Sequence, residues 1–234
     1  MATYIGIKGV EIQTIAGDPA NPITGQVWYN TTSNVLKGYA LNLAGGSWAS
    51  APALNTAREY ANGFGTQTAA VVAGGTPNLQ NTETYNGSAW TEAGDLQAGG
   101  IFSASCGTTT AGLLYGGERP GRVASTEEWD ETSWAEVNDL SVPAAKMAPA
   151  GTQTAALAMS KSTPTPEKKD VETYDGTSWT DETALNSIHA DGAGAGIQTA
   201  ALCCGGEQPA LTAQTEIWNG TTWTEVNDIS TARA

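Results

Sequence analysis

The chain has 234 residues, with 24 acidic against 10 basic side chains and a formal net charge of −14 at pH 7. Because nucleic acids and anionic membrane surfaces attract basic proteins, this balance argues against both as partners. The sequence shows neither an apolar run long enough to span a bilayer nor the basic and apolar regions of a signal peptide, so we expect no membrane insertion and no secretion.

The first predicted element is an incomplete sheet within residues 1–57. Residues 25–30, Gly-Gln-Val-Trp-Tyr-Asn, lead through a polar turn into residues 35–39 and then to Gly45-Gly-Ser-Trp48. Short β-favouring runs separated by Gly, Ser and Asn are typical of strands joined by turns. We interpret the three runs as strands two, three and four of one blade.

Residues 58–95 form the first complete unit. Its short β-favouring runs lie at residues 60–65, 68–73, 82–85 and 89–92. Gly74-Gly75 closes the second run, and Asn86-Gly87 separates the last two. Since Asn-Gly between short strands is the strongest local signal for a β-hairpin, we predict a four-stranded antiparallel meander.

The same unit recurs along the chain. Five tryptophans are spaced 42 to 45 residues apart, which is typical of proteins built from stacked similar units. We predict repeat blades at residues 58–95, 100–139, 144–184 and 189–228. We expect each tryptophan to be a structural blade residue, largely buried against an adjacent blade: Trp48, Trp90, Trp134, Trp179 and Trp223.

The chain ends with a segment that resembles the start of another repeat. Residues 229–234 match residues 54–59, the lead-in to a first strand. We interpret them as a closing lead-in. The inner strand of the first blade then comes from residues 2–7, from the last residues or from a longer native chain, and the sequence leaves these alternatives open.

Four-stranded sheets that repeat about an axis form a β-propeller. The expected fold class is therefore all-β, with five blades in one domain over residues 1–234: four complete repeats and one closing blade built with the N-terminal segment. Gly-Gly after the second strand, an aromatic residue in the third and a tryptophan five residues later resemble a kelch-type repeat over residues 48–234. The pattern departs where Ser160-Lys161 replaces Gly-Gly and where Asp130-Glu131 replaces Asn-Gly.

A second resemblance concerns short phrases. Residues 25–37, followed by Gly-Ser-Trp48, resemble segments common in bacteriophage tail-fibre and other virion proteins. The phrases Gly-Thr-Gln-Thr-Ala-Ala and Trp-Thr-Glu-Val-Asn-Asp are similar to predicted proteins of marine phages and environmental viruses. The resemblance implies a virion-associated or host-recognition role and a location in the virion. Otherwise the missing signal peptide favours the cytoplasm.

The sequence argues against catalysis. Several kelch-type propellers are copper oxidases of the galactose oxidase kind, and that resemblance implies two histidine and two tyrosine ligands. His189 is the only histidine, so neither this site nor a zinc or iron site needing two histidines can be built. The three cysteines, at 106, 203 and 204, align with small or apolar positions of other repeats and are expected as buried thiols. We expect no enzyme activity, no metal and no cofactor.

One face of the predicted propeller is the candidate binding surface. The connections from strand four to the next strand one open on the same face as the loops between strands two and three, which vary most among repeats. Binding residues are frequent on loops held by a rigid scaffold. We expect a ligand-binding face formed by basic side chains: Arg58, Arg119, Arg122, Lys161, His189 and Arg233. The alternative for His189 is an ordinary solvated loop position.

These observations give two hypotheses. The first is a non-enzymatic binding or structural propeller of a phage virion, which recognises a glycan, a host surface protein or other virion proteins through its variable loops. The second is an intracellular kelch-type scaffold for protein–protein interaction.

Overall fold

The computed structural model describes residues 13–20, 26–38, 49–77, 80–162, 169–207 and 210–234. The chain divides into two compact units, residues 1–50 and 51–234. Within the described ranges, every extended regular element is a β-strand, and no helix there could cross a membrane. The predicted all-β class is confirmed. The strands build five blade-type sheets, four of them complete and one three-stranded.

The first unit contains the three-stranded sheet. Its strands are β1 (Gln13–Ile15), β2 (Val27–Asn30) and β3 (Val35–Gly38). The antiparallel pair β2–β3 confirms two of the predicted strands, whereas β1, which pairs parallel to β2, was not predicted. The predicted strand that ends at Trp48 lies outside the described residues.

The second unit contains four four-stranded antiparallel sheets, here called blades 1 to 4. Blade 1 comprises β4 (Asn62–Thr66), β5 (Ala69–Ala73), β6 (Thr82–Tyr85) and β7 (Trp90–Ala93). Blade 2 comprises β8 (Ala104–Thr108), β9 (Ala111–Tyr115), β12 (Thr126–Trp129) and β13 (Trp134–Val137), and a small hairpin of β10 (Glu118–Arg119) and β11 (Gly121–Arg122) precedes its third strand.

Blades 3 and 4 repeat this order. Blade 3 comprises β14 (Ala148–Thr152), β15 (Ala155–Met159), β16 (Val171–Tyr174) and β17 (Trp179–Glu182). Blade 4 comprises β18 (Ala193–Ile197), β19 (Ala200–Cys204), β20 (Thr215–Trp218) and β21 (Trp223–Val226). All strands of the four blades fall inside the predicted repeat units, which confirms the four-stranded meanders. That all 234 residues form one domain stays a prediction.

First strands of successive blades lie side by side, β4 next to β8, β8 next to β14 and β14 next to β18. They are the inner strands, and small residues let them approach closely. At Gly194, for example, a Cβ would lie 2.3 Å from the carbonyl oxygen of Pro149 in the neighbouring blade. The turn after the first strand also needs glycine, because Gly151 has φ +104° and a Cβ there would lie 2.1 Å from the Ala155 carbonyl.

The hairpin between strands three and four keeps its geometry where the sequence departs from Asn-Gly. Asn86 Oδ1 accepts the amides of Ser88 and Ala89, both at 2.9 Å. Asp130 makes the equivalent bonds in blade 2 to the amides of Thr132 and Ser133, which lower its pKa to about 2. Glu131 adopts φ +85° where the other blades place glycine. The aspartate therefore replaces asparagine as acceptor.

The blade tryptophans join neighbouring blades. Trp134 is only 3% exposed and donates its indole N–H to Thr82 Oγ1 of blade 1. Three indole bonds of this kind reach the preceding blade: Trp134 to Thr82 Oγ1 (2.8 Å), Trp179 to Thr126 Oγ1 (3.0 Å) and Trp223 to the Thr183 carbonyl (3.0 Å). Trp134 and Trp223 are buried, whereas Trp179 is partly buried. Trp90 is half-buried and bonds the Pro52 carbonyl, and Trp48 is not among the described residues.

The core lies between blades. Leu114, Trp129 and Trp134 of blade 2 pack on Val71 and Ala73 of blade 1. The predicted buried thiols are confirmed at positions 106 and 203, and burial raises the pKa of Cys106 to about 12. Cys204 is half-buried.

Candidate functional site

Each of the four blades carries a buried glutamate at the second position of its third strand. No more than 3% of any of these residues is exposed. They are Glu83, Glu127, Glu172 and Glu216. An ionised carboxylate is costly to bury unless it is hydrogen-bonded and paired with a positive charge, so partners are required.

The first partners are backbone amides of the connection that leads into the blade. Glu83 accepts the amides of Asn55 at 2.7 Å and Thr56 at 3.1 Å. Equivalent donors are Gln97 for Glu127 (2.8 Å), Ser141 for Glu172 (3.0 Å), and Asn186 and Ser187 for Glu216 (both 2.8 Å). Each glutamate therefore ties the incoming connection to the middle of its own sheet.

The second partner is a basic side chain, and its origin differs among blades. Arg58 Nη2 lies 2.6 Å from Glu83 Oε1 in blade 1, and His189 Nε2 lies 3.1 Å from Glu216 Oε1 in blade 4. These two residues occupy the same repeat position. In blades 2 and 3 that position is Gly100 or Ala144, which cannot supply a charge.

Blades 2 and 3 bring the charge from the segment that follows the second strand. Lys161 replaces the second glycine of Gly-Gly, and its Nζ contacts the carboxylate of Glu172. In blade 2 the Arg119 side chain covers Gly100, where a Cβ would lie 3.1 Å from Arg119 Cγ. Burial raises the pKa of Glu127, and this rise is opposed by its backbone hydrogen bonds and by the charge of Arg119.

The six basic residues predicted for a binding face therefore have different positions. The side chains of Arg58, Lys161 and His189 are almost wholly buried, at 0%, 1% and 0% exposed. As placed, they contact glutamates inside the blades and are not open to solvent. This corrects the expected exposure, because a charge in a loop was assumed to be solvated.

The other three predicted residues are more accessible. Arg119 is half-buried and hydrogen-bonds Ser125 Oγ. Arg122 lies 3.4 Å from Glu118 on the β10–β11 hairpin, while Arg233 is exposed and donates to the Thr231 carbonyl at 3.1 Å. They belong to blade 2 and to the C-terminal lead-in, and their role in binding stays a prediction.

Two residues after the position of Arg58 and His189, the four blades share a strained backbone. Tyr60, Phe102, Lys146 and Asp191 all have φ between 54° and 59°. Left-handed backbone is uncommon for residues other than glycine and costs on the order of 1–3 kcal/mol at each position. Because such strain is concentrated at functional sites, four equivalent instances mark this position.

The four side chains form a connected row, here called the inner mouth. The rings of Tyr60 and Phe102 have centroids 4.5 Å apart. Lys146 Nζ lies 4.8 Å from the Phe102 centroid and 2.6 Å from Asp191 Oδ2. The hydrogen bond to Asp191 raises the pKa of Lys146. The mouth thus combines two aromatic rings with one ion pair.

The inner mouth opens into a cavity of about 200 Å³ beside the starts of the inner strands. Tyr60 is 55% exposed, and the side chains of Lys146 and Asp191 are about one-third exposed. Asn62, which is 8% exposed, also lines the cavity. Its amide nitrogen is buried without a hydrogen-bond partner in the part of the chain that the structure describes.

The sequence contained a signal for this site that the prediction did not use. The inner mouth precedes the first strands and so lies on the predicted face. The residues predicted to bind, such as Arg58 and His189, lie two positions before the residues of the mouth. At the mouth position, otherwise similar repeats contain Tyr, Phe, Lys and Asp. Such chemical variety among otherwise similar repeats indicates a position where the fold does not require a particular side chain.

A second concave region lies between the loops of blade 4 and the connection from blade 3. It encloses about 570 Å³, and its lining includes Lys169, Ile188, Leu211 and Gln214. Leu211 is 53% exposed. This region, here called the outer groove, includes one of the loops predicted to be variable.

Comparison with known proteins supports the architecture alone. No protein-family model and no curated protein matches the chain. The chain is similar to a solved structure described as "Structure of YjhT", with a TM-score of 0.65 and 11% identity over 77% of this chain and 68% of that one. At this identity the likeness shows the fold and not the activity. The kelch-type family and the phage origin remain predictions.

Proposed function

We propose that this chain is a non-enzymatic binding protein of a virion, which recognises a glycan or a host surface protein at its inner mouth. The propeller-type fold suggests a binding or structural role. The observation that carries the finer proposal is the inner mouth: four strained, chemically different side chains at one repeat position beside a cavity. Strain of this kind persists only where the surrounding structure imposes it.

The position of His189 supports binding over catalysis. Its Nδ1 lies 2.7 Å from the Gly205 carbonyl, and its Nε2 lies 3.1 Å from Glu216 Oε1. Both ring nitrogens are therefore engaged inside blade 4, and the side chain is fully buried. A general base must reach the proton that it removes, which this histidine cannot do as placed.

The virion role is supported by the resemblance of residues 25–48 and of the repeated phrases to phage proteins. Mass spectrometry of purified particles from the source of this sequence tests it directly. Detection of the chain at a stoichiometry comparable to known structural proteins is the expected result. Its absence from particles, with its presence in the host-cell lysate, would overturn the virion role and leave the binding role standing.

Binding at the inner mouth is tested with immobilised host-envelope fractions and a glycan array. We expect Tyr60→Ala to remove most of the binding, because Tyr60 supplies the most exposed ring of the mouth. Leu211→Ala in the outer groove is the matched control and is expected to bind as the unaltered chain does. The opposite pattern would move the site from the mouth to the groove.

The outer groove favours one alternative, an intracellular protein–protein scaffold. Exposed Leu211 beside Ile188 offers an apolar strip for a peptide, with Lys169 at its border. Capture of partners that is lost in Leu211→Ala and retained in Tyr60→Ala would support this alternative. Genomic neighbours offer a rapid check, because regulatory genes favour a scaffold and virion genes favour the first proposal.

A further inference from the structure

Resting on the proposed binding function, we infer that the inner mouth takes a neutral sugar ring with adjacent free hydroxyls and discriminates against acidic sugars. The inference concerns the class of ligand and is drawn from the order of side chains in the mouth. An aromatic platform stands at one end of the row and a neutralised ion pair at the other.

The aromatic end suits the apolar face of a sugar ring. The face of an aromatic ring carries partial negative charge, and the C–H groups on one side of a pyranose carry partial positive charge. Tyr60 is more than half exposed, although its ring also contacts Phe102. A flat ligand can therefore cover Tyr60 without displacing any protein group.

The ion-pair end suits hydroxyl groups. A sugar hydroxyl both donates and accepts, whereas an ammonium only donates and a carboxylate only accepts. One hydroxyl can accept from Lys146 Nζ while its neighbour donates to the carboxylate of Asp191. The two charged groups are 2.6 Å apart, so a pair of adjacent hydroxyls can reach both.

The same pair discriminates against acids. Lys146 is already neutralised by Asp191 and held over the Phe102 ring. A sugar carboxylate that approached Lys146 would meet the negative charge of Asp191 and would have to displace it. The net charge of −14 adds a long-range repulsion toward acidic polymers.

The test measures dissociation constants of the full chain for two sets of probes. The neutral set is methyl α-mannopyranoside, methyl α-galactopyranoside and methyl α-glucopyranoside, and the acidic set is glucuronic acid and N-acetylneuraminic acid. We expect at least one neutral probe to bind about tenfold more tightly than either acid. Tyr60→Phe, which keeps the ring, should retain the affinity, and Tyr60→Ala should lose about tenfold, the equivalent of about 1.4 kcal/mol.

Asp191→Asn sharpens the test. Asparagine tolerates the left-handed backbone of this position, so the variant should fold. Removing the carboxylate leaves Lys146 free to pair with an acid, and we expect the affinity for both acids to rise about tenfold while that for the neutral probe falls. Asp228→Asn, at an exposed position in the C-terminal segment, is the control and should change neither.

The outcomes distinguish failure of the neutral-sugar inference from failure of the inner mouth as the binding site. Tighter binding of an acid by the unaltered chain, lost in Tyr60→Ala, would overturn the neutral-sugar inference and keep the mouth as the binding site. Sugar binding that is unaffected by changes at Tyr60 and Asp191 would overturn both. Failure of all five sugars to bind, together with envelope-protein binding that depends on Tyr60, would overturn the inference and preserve the proposed function.

Discussion

Two repeat positions only two residues apart follow opposite rules in the blades of the second unit. At the first, the residues are Arg58, Gly100, Ala144 and His189. A basic side chain still contacts the buried glutamate in blades 1, 3 and 4, and in blade 2 the charge of Arg119 acts on Glu127. At the second, the inner mouth, the side chains differ and share only a left-handed backbone. Sequence variation therefore has two meanings here. At the first position the residue changes, but the buried glutamate still needs a basic partner. At the second position the change of residue gives each blade a different surface chemistry.

The largest expected loss of stability comes from removing the basic partner of a buried glutamate. Lys161→Met leaves the Glu172 carboxylate buried without its positive partner, so we expect a loss of about 3–5 kcal/mol in the free energy of unfolding. Urea denaturation measures this, and Lys169→Met is the control in the same loop. The loss is electrostatic only if a charge placed from another direction restores the stability.

That repair is available within the repeat. Ala144→Arg in a Lys161→Gly background recreates the arrangement of blade 1, where the arginine comes from the connection and Gly-Gly ends the second strand. We expect the double variant to recover most of the stability lost in Lys161→Gly. If the stability did not recover, a basic residue at position 144 could not replace Lys161 as the partner of Glu172.

Trp134→Ala tests how much the packing between blades 1 and 2 stabilises the protein. The residue is 3% exposed, packs on blade 1 and donates to Thr82 Oγ1 at 2.8 Å. We expect a loss of about 3–4 kcal/mol by urea denaturation, as for other buried aromatic truncations. Thr82→Val removes the acceptor but keeps the packing and should lose only about 1 kcal/mol. Equal losses in the two variants would contradict the assignment of packing as the larger contribution.

The buried glutamate of blade 2 predicts a pH dependence of stability. Burial raises the pKa of Glu127, so this group contributes stability at low pH that is lost as the pH rises through the folded pKa. Relative to Glu127→Gln, the unaltered chain should lose stability as the pH rises through the folded pKa of Glu127. Thermal unfolding of both across pH 4 to 8 measures it, with exposed Glu225→Gln as control. If the stability of the unaltered chain relative to Glu127→Gln rose with pH, the pKa of Glu127 would be lowered by folding and not raised.

The strands and the blade repeat could be predicted from the sequence because each of their signals is local. Turn residues such as Asn86-Gly87 and the spacing of tryptophans report directly on strands and on blade period. The buried charges could not be predicted this way. Whether Lys161 is solvated depends on Glu172, eleven positions later, and on the absence of a charge at Ala144, and neither fact is visible in the loop itself. The strand β1 was missed because parallel pairing leaves no hairpin signal.

The smallest expected effect concerns backbone strain in the inner mouth, and it has an unusual sign. Tyr60 has φ 54°, which an alanine tolerates poorly and a glycine adopts freely. Tyr60→Gly and Tyr60→Ala both remove the ring and its contact with Phe102, so their difference isolates the backbone. We expect the glycine variant to be more stable by about 1 kcal/mol, measured by urea denaturation.

The same pair of changes at Thr173, a strand residue of blade 3, should give the opposite order. Glycine there adds freedom to the unfolded chain and packs nothing, so alanine should be more stable by about 0.5–1 kcal/mol. If alanine were favoured at both positions, the mouth would carry no strain, and its left-handed backbone would cease to distinguish it from any other turn. If glycine is favoured only at position 60, this part of the chain gives up stability to present an aromatic ring, as expected where a side chain is kept for binding.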